Sequence, residues 1–211
     1  MPPHAGSRAV VALFDVDGTL TTRDCVVPFL RRAAGRRFYA TLVRHPLPLA
    51  LGLLRRDRDA LKALGCSSLA GLDAAALGAL GERFADEMLS SRVRSDTRAR
   101  LRRHRELGHT VVLASASLEP YLVPFGEALG VDAVLCTQLE VDASGRLTGR
   151  LDGANCRATE KARRVREWLE AAGLADAELW AYGDSAGDVE MLALADHPVR
   201  IGHSRLPPEP G

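Results

Sequence analysis

Aromatic residues are scarce: Phe, Trp and Tyr together make up 5% of the 211 residues. A core built from this chain must draw mainly on Ala, Val and Leu, within a hydrophobic fraction of 46%. An excess of either charge is missing too. Lys and Arg number 28 against 27 Asp and Glu, a formal net charge of +1, which excludes the strongly basic balance of a dedicated nucleic-acid binder. Disorder is excluded on the same grounds, since it needs low hydrophobicity with high net charge. The four cysteines, Cys25, Cys66, Cys136 and Cys156, never fall in a CxxC spacing. They read as scattered thiols in a reducing compartment, not as a zinc site or a disulfide framework. His45, His104 and His109 also lack metal-ligand spacing.

Long apolar runs are equally absent. The first residues, MPPHAGSRAVVALFDVDG, contain no extended apolar stretch ending in small residues, so no signal peptide is expected. The greasiest segment, Leu42 to Leu54, is interrupted by Arg44, His45, Pro46 and Pro48. A bilayer span needs about 20 apolar residues. A buried or half-buried helix pair is the expectation there, with a shallow interfacial contact as the alternative. No stable membrane insertion, a cytoplasmic location and a monomer or homodimer follow as expectations.

Five short apolar runs are present: Ala9 to Phe14, Thr110 to Ala114, Ala133 to Cys136, Glu178 to Tyr182 and Val199 to Ile201. They read as buried strands. Helical patterns lie between them. Asp96 to Leu107 stops at Gly108, Glu119 to Leu129 has Pro120 in its first turn and Gly130 beyond, and Thr159 to Ala172 carries one apolar stripe. The alternation predicts an α/β fold, a doubly wound parallel sheet covered on both faces. Cys25 to Ser95 holds helical stretches and no strand. In one of them Leu77, Leu80, Phe84 and Met88 share a face behind a possible N-cap at Asp73. Gln138 to Leu151 alternates around a DASG turn, as a β-hairpin does. The ending RLPPEPG is expected to fray.

Chemistry concentrates in FDVDGTLT, Phe14 to Thr21. Asp15 and Asp17 follow the first strand at its carboxyl end, where open α/β sheets place ligands. Either both face one side, or a bend at Gly18 gives each its own role; an acidic turn with local hydrogen bonds is the bland reading. Asp184 and Asp188, in YGDSAGD, follow another strand. Two strand ends carrying carboxylates suit a hard cation such as magnesium. Ser115 follows a third strand with a helix start at Glu119 soon after, an arrangement able to hold phosphate oxygens. Lys161 falls in the first turn of its helix, opposing the macrodipole unless it serves a site.

These motifs, in this order, resemble the haloacid dehalogenase superfamily of phosphatases, subfamily IB, the branch containing the phosphoserine phosphatases. DVDGT matches the first motif, Ser115 the second, Lys161 the third and GDSAGD the fourth. The resemblance implies a Rossmann-like core at residues 1–24 and 96–211 and a C1-type helical cap at 25–95. It implies Asp15 as nucleophile, forming an aspartyl-phosphate, and Asp17 as acid/base. Magnesium would be held by Asp15, Asp17 (through its carbonyl) and Asp184, with Asp188 in support. Ser115, Ala116, Lys161, Gly187 and Asp24 would bind phosphate or substrate. The sequence departs from strict phosphoserine phosphatases at Gly18, where they carry Ser, at Ala116 and Ser117, where they carry glycines, at Gly187, where they carry Asn, and at Asp24, where they carry Glu. The departures favour a broader range of small phosphorylated metabolites, histidinol phosphate or glycerol phosphates among them. A phosphosugar mutase on the same core and a non-catalytic binding module are the alternatives. Arg31, Arg32, Arg36, Arg37, Arg55 and Arg56 read as solvated helix faces rather than an anion-attracting surface. Arg23 and Asp24 are nearer the catalytic turn and better specificity candidates.

Overall fold

The structure, a computed structural model, describes residues 8–202. The Pro-rich ending therefore lies outside the described residues. The frame is a six-stranded sheet made of β1 (Val10–Phe14), β2 (Thr110–Leu118), β3 (Ala133–Val141), β4 (Leu147–Asp152), β5 (Glu178–Gly183) and β6 (His197–Arg200). The order across it is β4-β3-β2-β1-β5-β6. Only the β3–β4 pair is antiparallel. Five helices, α1 (Val26–Ala34), α2 (Arg36–Arg44), α3 (Pro46–Arg55), α4 (Arg58–Ser67) and α5 (Ala74–Ser91), intervene between β1 and α6 (Ser95–Glu106). The rest are α7 (Glu119–Leu129), α8 (Thr159–Ala171) and α9 (Val189–Leu192).

Alternation along β1 explains why both faces are covered. Val11 and Leu13 share one core cluster with Val165 and Leu169 of α8 and Met191 of α9. Ala12 and Phe14 join the opposite core with Leu101 of α6 and Phe125 of α7. A parallel sheet built this way needs apolar residues at every position, and β1 supplies them. The chain leaves β1 for β2 and β3 on one side, then crosses to β5 and β6 on the other. The crevice at that reversal opens at the carboxyl ends of β1 and β5.

Several boundaries differ from the sequence expectations. The strand expected to end at Ala114 runs to Leu118, with a register shift between those residues. The short strand at Ala133 and the hairpin are one element, because β3 pairs with β2 over its first half and with β4 over its second. Extending the sheet in this way gives β4 a further task. Its main chain bonds to the segment entering α5, through Gly71 N–H to the Leu147 carbonyl and Leu147 N–H to the Leu72 carbonyl (2.8 and 2.9 Å). The inserted helices are thereby anchored to the sheet edge. Asp73 is the N-cap of α5, accepting from Ala76 N–H, and Leu77, Phe84 and Met88 are buried as the stripe predicted.

The few aromatics are not spread thinly. All five Phe residues are buried, and Phe29 of α1, Phe84 of α5 and Tyr121 of α7 form a three-ring cluster with centroids 4.8–5.4 Å apart. That cluster joins the inserted helices to the sheet layer. Gly81 lets α5 approach closely, since a Cβ there would lie 1.9 Å from the Pro120 carbonyl oxygen. The Leu42 to Leu54 segment, expected as a buried or half-buried helix pair, spans the end of α2 and most of α3. Leu42 and Leu49 are half-buried and Gly52 is buried, while Val43, Leu47, Leu53 and Leu54 are exposed.

A buried polar network sits below the sheet. His104 is fully enclosed, with Nε2 hydrogen-bonded to the Tyr182 hydroxyl and Nδ1 to His109 Nδ1, both at 2.8 Å. Burial, reinforced by His109 and Arg100, pulls the His104 pKa down from 6.5 to about 3. The fold therefore holds the neutral ring. Because its folded pKa is depressed, the native state binds fewer protons than the unfolded chain below pH 6.5. Stability is full above that value and falls as pH drops towards 3. The expected loss from this group is about 2 kcal/mol at about pH 5. Urea unfolding across that range checks it, and a His104→Gln variant should give a flatter profile.

Candidate active site

The turn after β1 is wound around one carbonyl. Thr19, Leu20 and Thr21 N–H groups all donate to the Val16 oxygen at 2.9–3.2 Å. Gly18 makes the turn possible with a φ of +88°, and it also clears space. A Cβ at this position would lie 2.3 Å from Asp184 Oδ2, so glycine lets the β5 carboxylate reach the β1 turn.

The bend separates the two aspartates, as one of the sequence readings allows. Asp15 is buried and turns towards α8, where Lys161 Nζ donates to Asp15 Oδ1 at 2.7 Å and to Asp188 Oδ1 at 2.5 Å. Lys161 itself is 2% exposed. Its position in the first turn of α8 is explained by these carboxylates, which outweigh the unfavourable macrodipole. Burial opposes its charge, but Asp15 and Asp188 together raise its pKa above the ordinary lysine value. Asp188 is held from its other oxygen by Ser185, whose N–H and Oγ donate to Oδ2 at 3.0 and 2.7 Å. Burial alone would raise its pKa; Lys161 and Ser185 bring it below the usual range. For Asp15 burial prevails, and despite Lys161 its pKa rises to about 6.

Asp17 points the other way. Its Oδ1 accepts from Cys25 N–H at 2.9 Å and its Oδ2 from Ser117 Oγ at 2.8 Å, and Tyr121 donates to that same Ser117 oxygen at 2.9 Å. Burial, with repulsion from Asp24 and Asp15, pushes its pKa up to about 7. A group of that strength holds or releases a proton near neutrality.

One cavity of about 700 Å³ collects these side chains. Asp15, Asp17, Asp24, Ser115, Ala116, Lys161, Asp184, Gly187 and Asp188 all line it. The α7 N-terminus expected beside Ser115 does not, because β2 continues to Leu118 and carries Glu119 and Pro120 to a separate groove. Asp24 is exposed and its Oδ2 accepts from Val27 N–H at 3.2 Å, so it also caps the start of α1. Gly187 leaves room for Arg157, whose Nε would be 3.0 Å from a Cβ there.

Sequence reasoning missed several residues. Arg157 and Arg58 line the cavity, and neither stands in a recognisable motif. Lys62 of α4 is buried and reaches across to the core, donating to the Ala116 carbonyl and to Asn155 Oδ1 (2.7 Å for the latter). Burial lowers its pKa to about 8. Asn155 in turn donates to Asp59 Oδ1 at 2.5 Å. Two side chains of α4 thus clamp one core loop. Only the helical spacing of Asp59 and Lys62 hinted at a shared face.

Among the described residues, Asp15, Asp184 and Asp188 are a carboxylate group able to hold a metal, with one oxygen from each within 4.8 Å of the others. Oxygen-only donors fit a hard divalent cation better than zinc or copper. Both Asp188 oxygens are already engaged, by Lys161 and Ser185. The second Asp15 oxygen and Asp184 are therefore the better placed donors.

Comparison with known proteins agrees with this geometry. Residues 12–193 match the haloacid dehalogenase-like hydrolases. The chain is 37% identical over 198 residues to protein CicA of Caulobacter vibrioides, covering 93% of this chain and 87% of that protein. It is 32% identical to the phosphoserine phosphatase SerB1 of Mycobacterium tuberculosis, over 90% of this chain but only 64% of that one. A protein of unknown function from Bordetella pertussis superposes with a TM-score of 0.74 at 26% identity, covering 89% and 87% of the two chains. An apo phosphoserine phosphatase shares the fold, with a TM-score of 0.62 at 18% identity over 90% of this chain and 84% of the other. With the match spanning most of its length and strand-end carboxylates converging on a buried lysine, this chain belongs to the haloacid dehalogenase-like hydrolases.

Proposed function

We propose that the protein is a magnesium-dependent phosphomonoesterase that works through an aspartyl-phosphate on Asp15. The observation that carries the reading is the Asp15–Lys161–Asp188 arrangement at the floor of the cavity. A carboxylate nucleophile beside a cation, with a second carboxylate fixing that cation, is what phosphoryl transfer by positioning requires. Residues 25–95 act as a cap over a core of 1–24 and 96–211. Asp15, Asp184 and the Asp17 main-chain carbonyl would hold a magnesium ion, whose charge would offset repulsion between nucleophile and phosphate.

Asp15 attacks phosphorus, and the bond to the leaving alcohol breaks as Asp17 gives that oxygen a proton. Asp17 then takes a proton from water as it attacks the acyl phosphate, releasing inorganic phosphate and restoring Asp15. Ser115 and the main chain at Ala116 hold phosphoryl oxygens with Lys161. Ser117, backed by Tyr121, keeps the Asp17 carboxyl turned towards the leaving group. Asp24, Arg23 and Gly187 border the alcohol side.

The test is phosphate release from an aryl phosphate, with and without magnesium and a chelator, followed by a panel that includes phosphoserine and histidinol phosphate. Release that needs a bisphosphate activator would point to a mutase, and no release would remove the enzymatic reading. Asp17→Asn adds a sharper check. Its kcat should fall about 10²–10⁴-fold with alkyl phosphates, the usual worth of general acid catalysis, and much less with an aryl phosphate. Equal losses, with chemistry limiting both, would deny Asp17 the leaving-group role.

A further inference from the structure

The catalytic groups account for only one end of the cavity. The inserted helices add an apolar lining of Leu30, Phe38, Leu42, Leu49 and Leu61, beside the charged Arg58 and Lys62 of α4. A small polar alcohol would leave most of that lining and of the roughly 700 Å³ unused. Two of these helices, α2 and α3, also expose large apolar side chains. Val43 of α2 is 78% exposed, and in α3 Leu47 is 66%, Leu53 60% and Leu54 81% exposed. Large side chains at such exposure, clustered on one helical pair, mark a surface meant for contact.

Charge says what kind of contact. Residues 25–56 hold seven arginines and no Asp or Glu, in a chain whose net charge is only +1. α3 is uncharged from Pro46 to Leu54, with Arg44 just before it and Arg55 and Arg56 at its end. At ten residues it is about 15 Å long, too short to cross a bilayer. A short apolar helix bracketed by guanidinium groups is suited to lie in a headgroup layer, its leucines among the acyl chains and its arginines on anionic lipid.

We propose that the substrate is a phosphomonoester lipid, taken from an anionic bilayer on which α2 and α3 are seated, with its chain lying along Leu42 and Leu49. The proposal rests on the phosphatase reading and names the substrate class of that same site. It makes the arginines a functional surface, against the expectation of passively solvated helix faces. The inner and outer faces of the two helices then do one job: the outer leucines hold the protein at the surface from which the inner ones receive the chain.

Three measurements test it on the intact chain. Vesicle flotation should recover the protein with phosphatidylcholine–phosphatidylglycerol vesicles, less at high salt, and not with phosphatidylcholine alone. Alkyl phosphates lengthened from butyl to decyl should show kcat/KM rising by about tenfold or more, as apolar burial on the cavity wall grows. The double variant Leu47→Asp with Leu54→Asp touches neither the core nor the cavity lining. It should lose about tenfold or more in vesicle binding and in hydrolysis of a vesicle-borne monoacylglycerol phosphate, while aryl phosphate hydrolysis stays unchanged. Arg44→Glu with Arg55→Glu should act the same way. Loss of aryl phosphate hydrolysis in the wild type would overturn the phosphatase reading and this proposal with it. Intact aryl activity with a flat chain-length series, or with vesicle binding absent or indifferent to the variants, would overturn this proposal alone. So would a concentration-dependent dimer that the leucine variants dissociate, which would assign the face to a second copy of the chain.

Discussion

Asp15→Asn should fold and lose turnover by on the order of 10⁴-fold or more, the scale expected when a nucleophile is removed. The amide is a poor nucleophile and a poor ligand for a hard cation, so both roles of this side chain disappear together. The fold should tolerate the change for a reason visible in the ion pairs. Lys161 keeps Asp188 at 2.5 Å when Asp15 is neutralised, so no buried charge is stranded. Repulsion at the site also falls, because Asp15 is one of the groups that raise the Asp17 pKa. Circular dichroism and a melting curve close to wild type, beside absent phosphate release, would bear this out. A well-folded variant with near-wild-type turnover would remove Asp15 from the nucleophile role.

The sequence made the strand ends legible because the chemistry there is local. Asp15 and Asp184 each stand directly after an apolar run, and such a position is fixed once the run is identified as a buried strand. Whether Asp15 and Asp17 faced the same way was not legible. That depended on Gly18 at a positive φ and on Cys25 N–H reaching back to Asp17. The partners that orient these groups were out of reach. Ser117 meets Asp17 across 100 residues of chain and Lys62 meets Asn155 across 93. No spacing rule spans a separation set by tertiary packing. Ser117 sits on a strand that continued past its expected end, because the register shift after Ala114 keeps β2 in the sheet without an apolar repeat to advertise it. The Leu42 to Leu54 segment was legible only in part: its helices and its half-buried Leu42 and Leu49 were expected, its exposed leucines were not. Its apolar residues promised burial, and hydrophobicity alone does not distinguish a side chain that packs inside from one left at the surface for something else to cover.

Lys161→Met should damage both activity and stability, and the stability loss should depend on pH. Activity should fall on the order of 10²–10³-fold, as for removal of one preorganised partner of the transferring group. The structural effect comes from Asp15 and Asp188, which are 5% and 1% exposed and would lose the cation they share. Stranding buried carboxylates in this way costs about 3–5 kcal/mol. In the wild type Asp188 has a lowered pKa, so its contribution is present above the ordinary value of 3.8 and is lost as pH falls. Without Lys161, Asp188 keeps only its Ser185 hydrogen bonds against burial, and Asp15, already raised by burial, is held further above its unfolded value. The native state then binds more protons than the unfolded chain, and its stability falls as pH rises through the window above 3.8. The variant should therefore be closer to wild type near pH 5 and weakest near pH 8. Urea unfolding of both proteins at the two pH values measures the difference directly. A deficit of the same size at both would mean that Lys161 supports the fold through packing of its stem, and that the carboxylates beside it do not depend on its charge.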